Sequence, residues 1–285
     1  MRIFGISEAS YYCSSFTKSI GDAEGSITEF KNKYLSGPRH VPSISEGSPL
    51  FNQYRDCSLR DVERSLFFAA SNHRKSHDLM FSSSSPWAQV TLYYGSWYAS
   101  RALLGMFGCT IFKKHIVDVN QGTLGNQELQ LRKIGPGVDE EPTSSGGSHE
   151  RFWDIFYNSI YSLVPMVSPR LSIVLSPIGG DPAWQIKNRN EINYDTHRGF
   201  QIVKDFNKSF SPAKHSLTLP GVLSTQFQIL ESLLEITCDF AKLIGLKTDA
   251  LNGIGRSALF SDKVRRWIYT NKPGKIRKSK IKTFA

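Results

Sequence analysis

Apolar residues recur at helical spacing over most of this chain, and one stretch is apolar on nearly every side. Ser85 to Gly108, SPWAQVTLYYGSWYASRALLGMFG, reads as a long helix in which Val90, Tyr93, Trp97 and Leu104 form one stripe while Tyr94, Tyr98 and Leu103 cover others. A helix with so little polar face belongs in the middle of a bundle. Ser85 is placed to cap it, Pro86 is tolerated in a first turn, and Gly105 and Gly108 supply the stop. The small residues Gly95, Ser96, Ala99 and Ala102 let neighbouring helices approach closely. Gln89 and Arg101 are the strongly polar positions. A buried unpaired charge is costly, so Arg101 asks first for an ion pair, then for a water-filled cleft or a phosphate.

The same periodicity places other helices around this one. From Ser58 the run SLRDVERSLFFAASNHRKSHDLMF puts Leu59, Val62, Leu66 and Ala70 on one face. His73 and His77 lie at i and i+4 near its end, a spacing that can hold a metal, but the HExxH pattern is missing and a solvated helix end is the simpler reading. Ser148 caps a second helix, HERFWDIFYNSIYSLVP, whose first turn carries His149. There it can meet an anion or make a local hydrogen bond. A third helix runs from about Ser224 to Ile244, and a short one is expected from Ser257 to Tyr269. Between the central helix and Ser148 the pattern turns β-like: CTIFKKHIVDV and ELQLRKIG, joined by NQGTLGN, predict a hairpin inserted at 109–134. The loop Pro136 to Ser148 follows, polar and rich in Gly and Ser. Residues 1–57 are weakly patterned.

These elements predict a mainly α protein: a helical bundle with a small β-hairpin insertion and an irregular N-terminal segment. The expected division is an irregular segment at 1–57, a helical domain at 58–270 and a basic C-terminal arm at 271–285.

Composition adds little to that outline: 285 residues, 40% hydrophobic, can bury a sizeable core. Charge adds more. From Asp262 onward there are nine Lys or Arg against that single acid, so most of the +10 formal charge sits in one arm and the rest is nearly neutral. Lys272, Lys275, Arg277, Lys278, Lys280 and Lys282, interleaved with Ile276, Ile281 and Phe284, suit phosphate backbones through counterion release. A solubilising tail is the bland reading of the same arm. Four scattered cysteines form no CxxC pair, so neither a zinc ribbon nor a disulfide framework is suggested and a reducing cytoplasm fits. No apolar run is long enough to span a membrane, no P-loop order is present, and no metal or cofactor is implied.

The densest chemistry lies between Ile186 and Arg198, where Lys187, Asn188, Arg189, Asn190, Glu191, Asn193, Asp195 and His197 surround Ile192 and Tyr194. An aromatic, small-residue helix, a second apolar helix and then an Arg-Asn pair followed by a histidine together resemble the HEPN superfamily of prokaryotic toxins and antiviral effectors. YYGSWYASRALLGMFG is similar to the helix recurrent in that group, and Arg189-Asn190 with His197 is similar to its Arg-polar-His motif, with a gap of seven residues between Arg189 and His197 that is slightly longer than usual.

The resemblance implies a metal-independent endoribonuclease acting as a homodimer. Arg189 would clamp phosphate, Asn190 would orient it and His197 would be the base. RNA carries its own nucleophile, the 2′-OH, so a base and a cation suffice. Histidine suits proton transfer near neutral pH, and the planar guanidinium matches phosphate oxygens. Two other readings stay open. One is a non-catalytic subunit of a multi-protein defence assembly. The other is a capped turn between helices, with Arg189 paired to Asp195 or Glu191.

Overall fold

Twenty-two residues of nearly unbroken apolar texture form a continuous helix, and the rest of the molecule is laid against it. In the computed structural model, residues 1–14, 26–35, 43–81, 84–112, 115–133, 147–161, 181, 183–211, 216–217, 221–246 and 276–277 are described. In chain order the helices are α1 (Ile6–Ser14), α2 (Ile27–Phe30, continued by a π turn at Lys31–Leu35), α3 (Pro49–Phe81), α4 (Ser85–Met106), α5 (Ser148–Tyr161), α6 (Trp184–Tyr194), α7 (Thr196–Ser209) and α8 (Gly221–Leu243). The strands are β1 (Ser43–Ser45), β2 (Thr110–Ile111), β3 (His115–Thr123), β4 (Asn126–Lys133), β5 (Phe210–Ser211), β6 (Ser216–Leu217) and β7 (Ile276–Arg277). The protein is mainly α with a small antiparallel sheet.

The central helix α4 packs along α3 and against α8, and it also touches α6 and α7. Leu92, Tyr93, Ala99, Ala102, Leu103 and Leu104 are buried along its length, which is what an all-round apolar helix requires. Two glycines make the close approaches possible. A Cβ on Gly95 would lie 2.7 Å from Leu230 Cδ2 of α8, and one on Gly105 would lie 2.6 Å from Val62 Cγ2 of α3. The N-cap is Ser84 rather than Ser85, with no side-chain cap bond; Ser85 is buried inside the first turn, beside Pro86. Gly108, at φ +74°, turns the chain out of the helix, a left-handed position that favours glycine.

The helix expected from Ser58 begins at Pro49, a full two turns earlier, because Phe51, Tyr54 and Cys57 continue its buried face. Nor does it end in a solvated histidine pair. His73 is 2% exposed, and its Nε2 lies 2.9 Å from Glu231 Oε1 of α8. The His77 ring packs against His73 and Phe227.

The predicted hairpin is present as β3 and β4, joined at Leu124 and Gly125 and interrupted by a register shift between Val119 and Gln121. It is the middle of a four-stranded sheet ordered β1-β4-β3-β2. β1 comes from the N-terminal segment, and so do several of the core's largest side chains: Phe4, Tyr12, Phe30 and Phe51 are all buried. The N-terminal segment therefore carries short elements that close the core beside α3 and α4. A capping box at Ser26 and Glu29 starts α2. The loop at 136–146 and the helix expected at Ser257 to Tyr269 lie outside the described residues.

Candidate functional site

Helix α6 is polar overall, yet Trp184, Gln185, Ile186, Asn188 and Ile192 are buried as it packs on α4, with Gln185 turned to Tyr157 of α5. Its polar anchor is Asn188, whose Nδ2 donates to Gln89 Oε1 at 3.5 Å. Gln89, a polar outlier in the central helix, thereby has a partner in the interface. One residue further along α6, Arg189 reaches the tyrosines of α4.

The Arg189 guanidinium donates from Nη2 to Tyr94 Oη at 2.5 Å and from Nη1 to Asn190 Oδ1 at 2.8 Å. It lies over the faces of Tyr94 and Tyr93, at 5.4 and 5.9 Å from the ring centroids. Its Nε is buried without a hydrogen-bond partner. Among the described residues no carboxylate forms an ion pair with it. Both acids that could have quenched it are used elsewhere. Glu191 faces Arg198 at 3.7 Å, and Asp195 Oδ1 accepts from the backbone N–H groups of His197 and Arg198 at 2.9 and 3.1 Å, capping α7. The capped turn read from the sequence is therefore there, but the ion pair that would have made Arg189 purely structural is not.

The imidazole that shares these aromatic faces is His149, from the first turn of α5. Tyr93 Oη and His149 Nδ1 are 2.7 Å apart, and the ring leans on Trp97 with centroids 5.0 Å apart and meets Tyr94 edge-on at 6.4 Å. Burial, and then the positive charges of Arg189 and Arg101, lower its pKa below the ordinary histidine value. At neutral pH His149 is an uncharged imidazole between two cations. Burial holds the Tyr93 hydroxyl protonated by raising its pKa. The contact that fixes His149 is thus long-range in sequence rather than a local bond.

Arg101 closes the cluster. It pairs with Asp61 of α3 at 2.6 Å and lies over Trp97 at 4.9 Å, both partners about one quarter exposed in the ion pair. A small cleft next to this pair is lined by Ser58, Asp61, Arg101, Cys109 and Thr110. The ion pair expected for the central-helix arginine is present.

His197 occupies the first turn of α7 and is exposed, with exposed Tyr194 and Phe200 on either side of it in sequence. Among the described residues nothing links its ring to Arg189. The structure thus brings together Arg189 and Asn190, places His197 on the surface beyond the break at Asp195, and sets His149 against Tyr94, the ring over which Arg189 lies. Tyr93, Tyr94 and Trp97 were legible only as helix texture; the signal that they line a site was a helix carrying more aromatic residues than one buried face needs.

Of the basic arm, Lys272, Lys275, Lys278, Lys280 and Lys282 lie outside the described residues, while Arg277 belongs to β7, which pairs with β6. Among the described residues no group of three or more His, Cys, Asp or Glu is arranged to hold a metal ion, and no helix is long and apolar enough to cross a membrane. The four cysteines are buried thiols. Burial pushes Cys238 up to about 12, and it raises Cys13 and Cys57 as well, so these three are not poised as nucleophiles. Compared with protein-family models, curated proteins and solved structures, the chain matches none.

Proposed function

We propose that this protein is a metal-independent endoribonuclease, active in the cytoplasm as a toxin or antiviral effector. The observation that carries the reading is the state of Arg189: a guanidinium oriented by Tyr94 and Asn190, lying on two aromatic faces, with no carboxylate paired to it among the described residues and an uncharged imidazole close by. Such a group is ready for a phosphate, because a guanidinium already paired to an acid would have to exchange one anion for another.

In the reaction the 2′-OH of a ribose attacks the adjacent phosphorus while a base takes its proton. Arg189 meets the negative charge that builds on the phosphorane oxygens, and the bond from phosphorus to the 5′-oxygen breaks as that oxygen gains a proton. The products are a 2′,3′-cyclic phosphate and a 5′-hydroxyl. His197 is the base in the resemblance that the sequence carries. Its exposure fits a composite cleft in which the His197 of one copy faces the Arg189 of another across a homodimer. The basic arm from Lys272 to Lys282 would hold the RNA backbone nearby.

A second reading, a non-catalytic subunit of a defence assembly, draws on the exposed Trp87, Tyr194 and Phe200, which suit a protein partner. Expression in a bacterial host separates the two. The ribonuclease reading expects growth arrest that Arg189→Ala and His197→Ala each relieve at equal protein level. Wild-type expression that leaves growth and RNA integrity untouched contradicts it.

A further inference from the structure

The rings around Arg189 do not stop at the site. Going outward from it, Tyr94 meets His149 at 6.4 Å, His149 leans on Trp97 at 5.0 Å, Trp97 meets Tyr98 at 5.0 Å, and Tyr98 stacks on Phe68 of α3 at 5.0 Å with the planes 29° apart. Every ring in this chain is at least partly exposed, and Phe68 at its end is 53% exposed. A phenylalanine on the surface of a helix, stacked on a tyrosine, gains nothing for the core and leaves a flat apolar face to solvent. Two guanidiniums border the same line: Arg189 over Tyr94 at one end, and Arg101 over Trp97 near its middle.

The geometry points to a binding track for single-stranded RNA that runs from Phe68 over Tyr98, Trp97 and His149 to Arg189. Aromatic faces in series, bordered by cations, are what unpaired bases and their phosphates require: each base stacks on a ring regardless of its identity, and the arginines meet the backbone. A duplex hides its base faces and cannot use the rings. The track deepens the ribonuclease reading, and rests on it, by naming the substrate form and the path by which a strand reaches Arg189. The Asp61–Arg101 pair acts as a brake on the track, since a phosphate must compete with the Asp61 carboxylate for the guanidinium.

The test is fluorescence anisotropy of the full-length protein, in EDTA, with a labelled single-stranded oligouridine and with the same label on a blunt duplex of matched length. Phe68 lies on an exposed face, so Phe68→Ala is expected to leave folding intact, checked by circular dichroism. It is expected to weaken single-strand binding about fivefold or more, whereas Phe68→Trp retains it. Arg101→Ala is expected to lower the slope of log affinity against log salt by about one, and Asp61→Asn to tighten binding. Unchanged affinity in Phe68→Ala overturns the track while the ribonuclease reading stands, because the strand then lies elsewhere. Equal affinity for the duplex also overturns it. No binding of either probe by the wild type overturns the track and removes support from the ribonuclease reading together.

Discussion

At the residue scale the behaviour of two histidines follows from what surrounds them. His149 sits between two guanidiniums and is half-buried, so its imidazolium is disfavoured. Removing one cation should reverse part of that: in Arg189→Ala the His149 titration, followed by NMR of the ring protons, is expected to move up toward the ordinary value of about 6.5. A His149 that titrates at the same pH in wild type and variant would show that Arg189 does not act on it. His73 is the buried counterpart. Burial lowers it to about 4, and its partnerless buried Nδ1 leaves a second proton nowhere to go. The unfolded chain binds that proton below about pH 6.5 and the folded chain only below about 4, so stability is full above the upper limit and falls as the pH drops between them. The slope approaches roughly 1.4 kcal/mol per pH unit for each such group. Urea midpoints measured from pH 7 to 4 should show it, and His73→Gln should make the slope shallower, leaving the share of His77, which burial lowers to about 3. That Arg101 would be paired was legible in advance, since an arginine on an apolar helix needs an acid, although the acid, Asp61, lies 40 positions away on α3; the setting of Arg189 was not, since its partners Tyr94 and Tyr93 lie about 95 positions away and belong to a helix whose texture alone reads as core.

At the level of elements, the long helices and the hairpin were readable because each is specified by its own period. α4 starts and stops where its proline and glycines dictate, and the hairpin shows as two β-rich runs on either side of a glycine turn, the second of them, β4, alternating buried and half-buried positions. What could not be read was anything decided by packing. The early start of α3 at Pro49 and the burial of Phe4, Tyr12 and Phe30 depend on surfaces supplied by distant segments. The approach of α3 to α4 is one such surface and can be tested directly. In Gly105→Ala the new methyl meets Val62 Cγ2, and a β-branched side chain on a helix has little rotamer freedom to yield. The substitution should cost about 1–3 kcal/mol in spite of alanine's higher helix propensity. Adding Val62→Ala should make the pair less destabilised than the two single changes combined. Additive losses in chemical denaturation would show that the contact at Gly105 is not the one that matters.

At the scale of the whole molecule, α4 is both the centre of the core and the floor of the candidate site. Its Tyr93, Leu103 and Leu104 are buried, while Tyr94, Trp97 and Arg101 reach the partly exposed line where α5 and α6 deliver His149 and Arg189. That economy explains why the site is legible only in three dimensions: α4 supplies the aromatic faces and Arg101, α5 supplies His149, α6 supplies Arg189 and Asn190, and no helix carries the whole set. It also sets the most direct measurement. Purified full-length protein is incubated with a defined single-stranded RNA in EDTA, and the ends of the fragments are analysed for wild type, Arg189→Ala and His197→Ala. The wild type is expected to give fragments ending in 2′,3′-cyclic phosphate, and Arg189→Ala to lose at least about a hundredfold in rate, in the range that removing a group stabilising a transition-state charge produces. Intact RNA with the wild type, or cleavage that survives Arg189→Ala unchanged, would contradict it.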